Sequence, residues 1–348
     1  MTDASAALCN KPDCQVAASG KCAEGHDPVR SCPNYAATAA APEDEFDDEQ
    51  SPGANSITDV PQIALPRGEL MTPEEVQRFL LWRPATFISV IGESFSGKTT
   101  VMCALYDRLL RGPYADLSFA GSKTLVALEK RMHPSRVDSG RPVPETVRTS
   151  IADGLRYFHF AVAAVDNPRS RTDLFLSDRA GETYRKARSN TDLIADLPEI
   201  PQANKIVLLI DGSKVAKPAE LAGTVQSARQ MLRALADQGA VGLGSDVQVV
   251  TSKVDLITRA QDKQDLTSAL KSFQERLAAD FAPRLGRLTF WDISARDPEG
   301  TFGPAHGLDA LVRDWVTPPV LRPLASSPPL DLKSEFDRLL ARTPLGET

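Results

Sequence analysis

An α/β fold with a mainly parallel sheet follows from three observations in this 348-residue chain. From about residue 66 to 316, short apolar runs alternate with longer amphipathic stretches, the signature of a strand–helix repeat. One such run, Thr86-Phe87-Ile88-Ser89-Val90-Ile91, leads at once into Gly92-Glu93-Ser94-Phe95-Ser96-Gly97-Lys98-Thr99-Thr100 and then into the helix-compatible Val101-Met102-Cys103-Ala104-Leu105-Tyr106. Strand, glycine-bounded turn and helix, in that order, are the context of a phosphate-binding P-loop, so a three-layer P-loop NTPase fold is expected. Finally, the apolar runs at 155–165 and 172–177 are joined only by Asp166-Asn167-Pro168-Arg169-Ser170. That short link predicts a hairpin, and hence an antiparallel edge strand on the sheet.

The same reading predicts strands over 86–91, 155–164, 172–177, 205–211, 247–251 and 287–292. Helices are expected over 72–80, 98–111, 218–239, 258–281 and 307–316. The chain divides by composition into four parts. Residues 1–35 form a small Cys-rich module. Residues 36–65, with the acidic run Glu43-Asp44-Glu45-Phe46-Asp47-Asp48-Glu49, read as a disordered linker that cannot bury enough apolar surface to offset chain entropy. Residues 66–316 carry the P-loop domain, and 317–348 a Pro-rich tail with an amphipathic helix over 330–341.

A 42% hydrophobic and 25% charged composition suits a water-soluble domain with a sizeable core. The formal charge of −6 gives no electrostatic case for nucleic acid, and no apolar run approaches a bilayer span. The N-terminus lacks the pattern of a secretory signal, so a cytoplasmic location is expected. Four of the five cysteines are Cys9, Cys14, Cys22 and Cys32. With His26 they offer five thiolate and imidazole donors, from which a tetrahedral Zn²⁺ site could be closed, and a metal would supply the folding energy that so small a module lacks. Cys103 is expected to pack, unreactive, in the helix after the P-loop.

The chemistry of the P-loop follows from its residue types. Gly92 and Gly97 let the backbone turn inward, so that N–H groups from Ser94, Ser96, Gly97, Lys98, Thr99 and Thr100 can meet phosphate oxygens. Lys98 would set its charge on the β/γ-phosphates, and the Thr99 hydroxyl would ligate Mg²⁺. Downstream, the apolar Leu174-Phe175-Leu176 ends at Ser177-Asp178-Arg179-Ala180-Gly181-Glu182. A carboxylate at that strand end, Asp178, can hold Mg²⁺ through water, and Gly181 leaves an N–H free to approach a γ-phosphate. After the run 247–251, Asp255 can accept from the N1–H and N2–H₂ of guanine, a pair that adenine lacks. The stem of Lys253 can cover the base, and the small Ser294-Ala295 pair lets a backbone N–H reach the guanine O6.

These residues carry a resemblance. Gly92–Thr99, Asp178–Gly181, Ser252–Asp255 and Ser294–Arg296 stand in the order G-x-x-x-x-G-K-T, D-x-x-G, [NT]-K-x-D and S-A-[KR]. The chain therefore resembles GTPases of the translation-factor and Ras-like class over roughly residues 84–316. A closer similarity is to bacterial GTPase-like proteins of the double-GTPase type, suspected to act in conflict or defence systems. The resemblance implies GTP/GDP and Mg²⁺ as cofactors, GTP hydrolysis as a molecular switch, and a protein effector or second GTPase-like partner. It further implies a switch I threonine before the second strand, for which Thr149 is chosen with Thr146 and Ser150 as rivals. Arg148 and Arg179 are candidates to neutralise transition-state charge. Two positions depart from the family pattern. Ser252 stands where Asn usually braces the P-loop. Glu182 stands where Gln usually orients the attacking water, and its carboxylate would be repelled by a γ-phosphate unless protonated or bridged by a cation. The alternatives are a nucleotide-bound scaffold with little hydrolysis and an ATP-using ATPase or kinase.

Overall fold

In a computed structural model, residues 67–135 and 149–317 are described throughout, with scattered positions up to residue 36 and Ser334. The chain divides into two units, Met1–Ile63 and Ala64–Thr348.

In the first unit, two-residue strands Leu8–Cys9 and Tyr35–Ala36 pair antiparallel. Cys32 is buried and Cys22 half-buried, both as free thiols. Cys14 and the side chain of Cys9 lie outside the described residues, as do 37–66 and the 330–341 helix apart from Ser334. Among the described residues no group of three or more His, Cys, Asp or Glu is placed to hold a metal, so the zinc expectation gains no support here.

The second unit follows the strand–helix alternation. Its helices and strands are α1 (Pro73–Leu80), β1 (Thr86–Gly92), α2 (Lys98–Leu110), β2 (Leu117–Gly121), α3 (Leu125–Met132), β3 (Arg156–Ala164), β4 (Arg171–Asp178) and α4 (Gly181–Ser189). There follow β5 (Lys205–Asp211), the single turn α5 (Gly212–Val215), α6 (Pro218–Asp237), β6 (Asp246–Ser252), α7 (Val254–Arg259), α8 (Lys263–Phe281), β7 (Arg287–Asp292) and α9 (Leu308–Val316). One sheet runs β2-β3-β4-β1-β5-β6-β7, with β3 antiparallel to both its neighbours and the remaining pairs parallel.

Apolar residues on both faces of the central strands are what a sheet covered on both sides demands. Ile88 and Val90 of β1 face a core built with Met102, Leu105, Leu128 and Trp315 from α2, α3 and α9. Ile91 joins the opposite core with Tyr184, Leu232 and Phe273 from α4, α6 and α8. A small third cluster packs Val76 of α1 on Tyr157 and Phe175. The three-layer P-loop fold is thus present. Among the described residues no helix is long and apolar enough to cross a membrane.

Four details differ from the sequence reading. The β3–β4 hairpin does not lie at the sheet edge, because the short β2 pairs outside it and makes the antiparallel strand second from the edge. Helix 258–281 is divided into α7 and α8, since Ala260 takes extended backbone at φ −64°, ψ 148°. Helix α3 occupies part of the long gap before Thr149. Helix α4 begins at Gly181 with a sequence so polar that only Gly181, Tyr184 and Ala187 are buried.

β3 and β4 are pinned by a buried His159–Asp173 pair. His159 Nδ1 accepts from the Lys123 N–H at 2.9 Å, which leaves the proton on Nε2 to donate to Asp173 Oδ1 at 2.9 Å. Burial holds the His159 imidazole down to about 4 from its ordinary 6.5, against the pull of Asp173. The fold therefore refuses a proton that the unfolded chain accepts between those values. Stability should be complete above about pH 6.5 and fall by about 3 kcal/mol as pH drops to 4. Urea midpoints across that range test this, and His159→Gln should flatten the slope.

Candidate functional site

The P-loop closes on itself before anything else touches it. Gly97 sits in the left-handed region at φ 96° and opens α2 without a side-chain cap. A helix N-terminus left this way presents free N–H groups and the positive end of its dipole. Lys98 is buried, and its ammonium folds back to donate to the carbonyls of Gly92 at 2.7 Å and Glu93 at 3.1 Å. Two residues from the far side of the sheet brace the loop. Ser252 Oγ lies 2.8 Å from the Ser96 carbonyl and 3.1 Å from that of Ile210, its one proton shared between them. Serine therefore reaches the loop at the position where the resemblance leads one to expect asparagine. Lys253, itself left-handed at φ 53°, donates to the Phe95 carbonyl at 2.7 Å and pairs with Asp211 at 2.9 Å.

A cavity of about 220 Å³ opens over the loop. Ser94, Gly97, Lys98, Thr99 and Thr100 form its floor, while Thr149, Gly181 and Glu182 line it from the switch side and Lys253 from the other. β4 ends at Asp178, buried behind the lining residue Thr149, and Gly181 opens α4 at the cavity itself. The approach is close: a Cβ on Gly181 would overlap the amide nitrogen of Ser94 and the Glu93 backbone. Only glycine fits between helix and loop.

Asp178 is fully buried. Its Oδ1 accepts from the Thr149 hydroxyl at 2.9 Å, and the Arg131 guanidinium of α3 faces Oδ2 at 3.2 Å as an ion pair. Arg131 Nη1 also donates to Thr149 Oγ1 at 3.2 Å. Among the described residues no hydrogen bond reaches Oδ2. Burial raises the carboxyl above its usual range, opposed by Arg131, Thr149 and Lys98. The oxygen donors Thr99, Thr149 and Asp178, one of them carrying an unsatisfied oxygen, suit a hard divalent cation such as Mg²⁺. The sequence gives no sign of Arg131, one of eleven Lys and Arg residues between Thr99 and Asp178.

Arg179 is spoken for. It grips Glu199 through Nε at 2.7 Å and Nη2 at 3.1 Å, and the buried Tyr184 hydroxyl donates to the same carboxylate at 3.1 Å. Arg179 also lines the cavity, so its pairing with Glu199 fixes it at the edge of the site. Arg148 lies outside the described residues. On the far side of α4, Glu93 pairs with Arg188 and, at 3.0 Å, with Lys214.

The residues expected to read the base gather just after β6 and β7. Asp255 is buried, accepting from Ser294 Oγ on Oδ1 at 2.5 Å and from Arg259 Nη2 on Oδ2 at 2.9 Å. The Ser294 N–H donates to the His306 carbonyl at 3.0 Å, and Ala295 packs against the core beside it. Arg259 is missed by motif reading, although its i+4 spacing from Asp255 on a helix is a signal that was available. Cys103 is buried in α2, where desolvation pushes its thiol up to about 12, leaving it inert at neutral pH.

Because a Cβ at 181 meets backbone on both sides, Gly181→Ala should weaken nucleotide binding about tenfold or more. Titration with a fluorescent guanine nucleotide, alongside an unchanged far-UV circular dichroism spectrum, checks this.

Comparison with known proteins bears on the same region. The family described as Double-GTPase 2 matches residues 86–316. No curated protein sequence matches significantly. Among solved structures, the signal recognition particle receptor SRb-GTP/SRX complex of Chaetomium thermophilum is 14% identical with a TM-score of 0.37, covering 67% of this chain and 97% of that one. The GTP-bound Ski7 GTPase-like domain of S. cerevisiae is 17% identical with a TM-score of 0.40, covering 69% of this chain and 52% of that one. Elongation factor SelB of Methanococcus maripaludis, with a GTP analogue, is 14% identical with a TM-score of 0.36, covering 70% and 36%. This chain thus spans about half of that Ski7 chain and about a third of SelB. The family match spans more than half of the chain and every motif of the site: the protein is a member of the Double-GTPase 2 family.

Proposed function

We propose that the protein binds GTP and GDP with Mg²⁺ and hydrolyses GTP as a molecular switch read by a protein partner. The observation that carries this is the cavity in which the P-loop, Thr149, Gly181 and Glu182 meet, with Asp178 buried behind it and bonded to Thr149. In this reading the loop N–H groups and Lys98 hold the phosphates. Thr99, Thr149 and, through water, Asp178 would hold Mg²⁺, which supplies charge neutralisation on the phosphates when bound. Gly181 offers its N–H to the γ-phosphate. Loss of that phosphate releases the segments around Thr149 and Gly181, altering the surface that a partner meets. Asp255 selects guanine, held in position by Ser294 and Arg259; Lys253 covers the base and Ala295 offers its N–H to O6. Glu182 is the group facing the attacking water.

Glu182 also favours a second reading, a scaffold that holds GTP with little turnover, because a carboxylate there repels phosphate charge. Single-turnover measurement of phosphate release separates the two: release supports the switch, and none, with or without cell extract, supports the scaffold. Nucleotide identity is tested by titration with GTP, ATP and XTP in Mg²⁺. GTP should be preferred to ATP on the order of 100-fold or more, and Asp255→Asn should shift preference towards XTP. Equal binding of ATP and GTP would sink the guanine assignment and leave an ATPase or kinase.

For the N-terminal unit we infer a Zn²⁺ site drawn from Cys9, Cys14, Cys22, His26 and Cys32, on the chemistry of the donors alone. Metal analysis of gently purified protein should find about one equivalent, and less than about half would count against it.

A further inference from the structure

We propose that Arg131 is a latch on the metal site, a cation that holds Asp178 and Thr149 together without metal and must yield when Mg²⁺ enters. The inference rests on the Mg²⁺–nucleotide reading above. It begins from charge. Asp178 is fully buried, and a buried carboxylate requires a cationic or hydrogen-bonding partner. In this structure it has both in one cluster, the Arg131 guanidinium at 3.2 Å and the Thr149 hydroxyl at 2.9 Å.

The guanidinium also donates to Thr149 Oγ1 at 3.2 Å, so one side chain ties the carboxylate to the switch threonine. Its own side chain is only 11% exposed, which keeps water from screening the pair. Thr149 spends its proton on Asp178 and its oxygen on Arg131. The second lone pair of that oxygen can meet a metal only by setting two cations on one oxygen, which Arg131 relieves by yielding.

Two cations cannot share this carboxylate cheaply. A divalent ion held by Thr99, Thr149 and Asp178 lies within a few ångströms of the guanidinium, in a site where charges are weakly screened. The guanidinium has a place to retreat to, since its carbon already lies 5.7 Å from the centre of the Phe158 ring. What cannot retreat readily is α3. Its start is tied to β3 by the His159 N–H donating to Thr124 Oγ1 at 3.0 Å and by the Lys123 N–H donating to His159 Nδ1 at 2.9 Å. The Ala127 N–H donates to the Gly68 carbonyl at 2.9 Å, and Tyr106 Oη donates to Glu129 at 2.8 Å. Arg131 therefore competes for Asp178 from a fixed base, and releasing it costs affinity for the metal. Arg131 acts as a positioning residue that sets the Mg²⁺ concentration at which the switch threonine changes partner.

The test uses the full chain loaded with a fluorescent, non-hydrolysable GTP analogue, whose release rate is followed as Mg²⁺ is raised from zero in chelator. Mg²⁺ should slow release, and Arg131→Met should lower the half-maximal Mg²⁺ concentration on the order of tenfold. Arg131→Lys, which keeps the charge but cannot span both partners, should fall between. A half-maximal concentration that is unchanged or raised in Arg131→Met overturns the latch. Should that variant fail to fold, amide exchange in the wild type decides: Mg²⁺ added at a constant level of the GTP analogue should change protection around Thr149, and unchanged protection overturns the proposal. Nucleotide that binds under no condition overturns the guanine-nucleotide reading and the latch with it. Bound nucleotide with an unaltered Mg²⁺ requirement overturns the latch alone.

Discussion

A carboxylate sealed from water at the end of β4 sets the terms for this site. Asp178 is fully buried, and a lone charge in such a place is far too costly to persist. The surrounding structure supplies what the carboxylate lacks. Thr149 turns its hydroxyl inward, and α3 brings a guanidinium to 3.2 Å. Helix α3 in turn needs an anchor, which it finds where the Thr124 hydroxyl and the Lys123 amide at its start meet His159 of β3. The His159–Asp173 pair beneath them is therefore part of the same chain of support, although it lies away from the cavity.

The loop itself is held by backbone carbonyls more than by apolar contact. Lys98, Ser252 and Lys253 each end on a main-chain oxygen of residues 92–96. Such bonds fix the path of the chain without using the N–H groups that a phosphate would need. On the switch side, Gly181 makes the contact by having no side chain, while Arg179, Tyr184 and Glu199 hold the first turns of α4 from behind. Glu93, paired with Arg188 and Lys214, closes the other flank. The helix that follows D-x-x-G is thus clamped at both ends.

The phosphate arm was legible from residues 92–100 because glycine spacing, strand and helix lie within one short window, where local rules apply. Asp178, Gly181 and Asp255 were legible for the same reason, each at the end of an apolar strand. Arg131 and Glu199 were not. Each acts through a contact across distant sequence, and neither carries a spacing or a neighbour that marks it. β2 escaped notice because five residues ending in a left-handed Gly121, with a bulge in the pairing, do not show a clean two-residue period. Helix α4 escaped because its face towards the core is only three residues wide, too narrow for a periodic signal. Helix 258–281 was located but drawn as one piece, since the break at Ala260 involves neither glycine nor proline.

In the function proposed above, base and phosphate are served by adjacent residues that face different ways. Ser252 and Lys253 reach across to the P-loop, whereas Asp255, two positions on, turns to Ser294 and Arg259. Nothing in the bracing of the loop passes through Asp255. Selection can therefore retune which nucleobase is admitted, by substitution at 255, 259 or 294, while the phosphate cradle keeps its shape. The reverse does not hold: a change at 252 or 253 disturbs the cradle before it alters the base. On that reading base preference is the freer variable of this site, and the shape of the phosphate cradle the constraint that the geometry imposes.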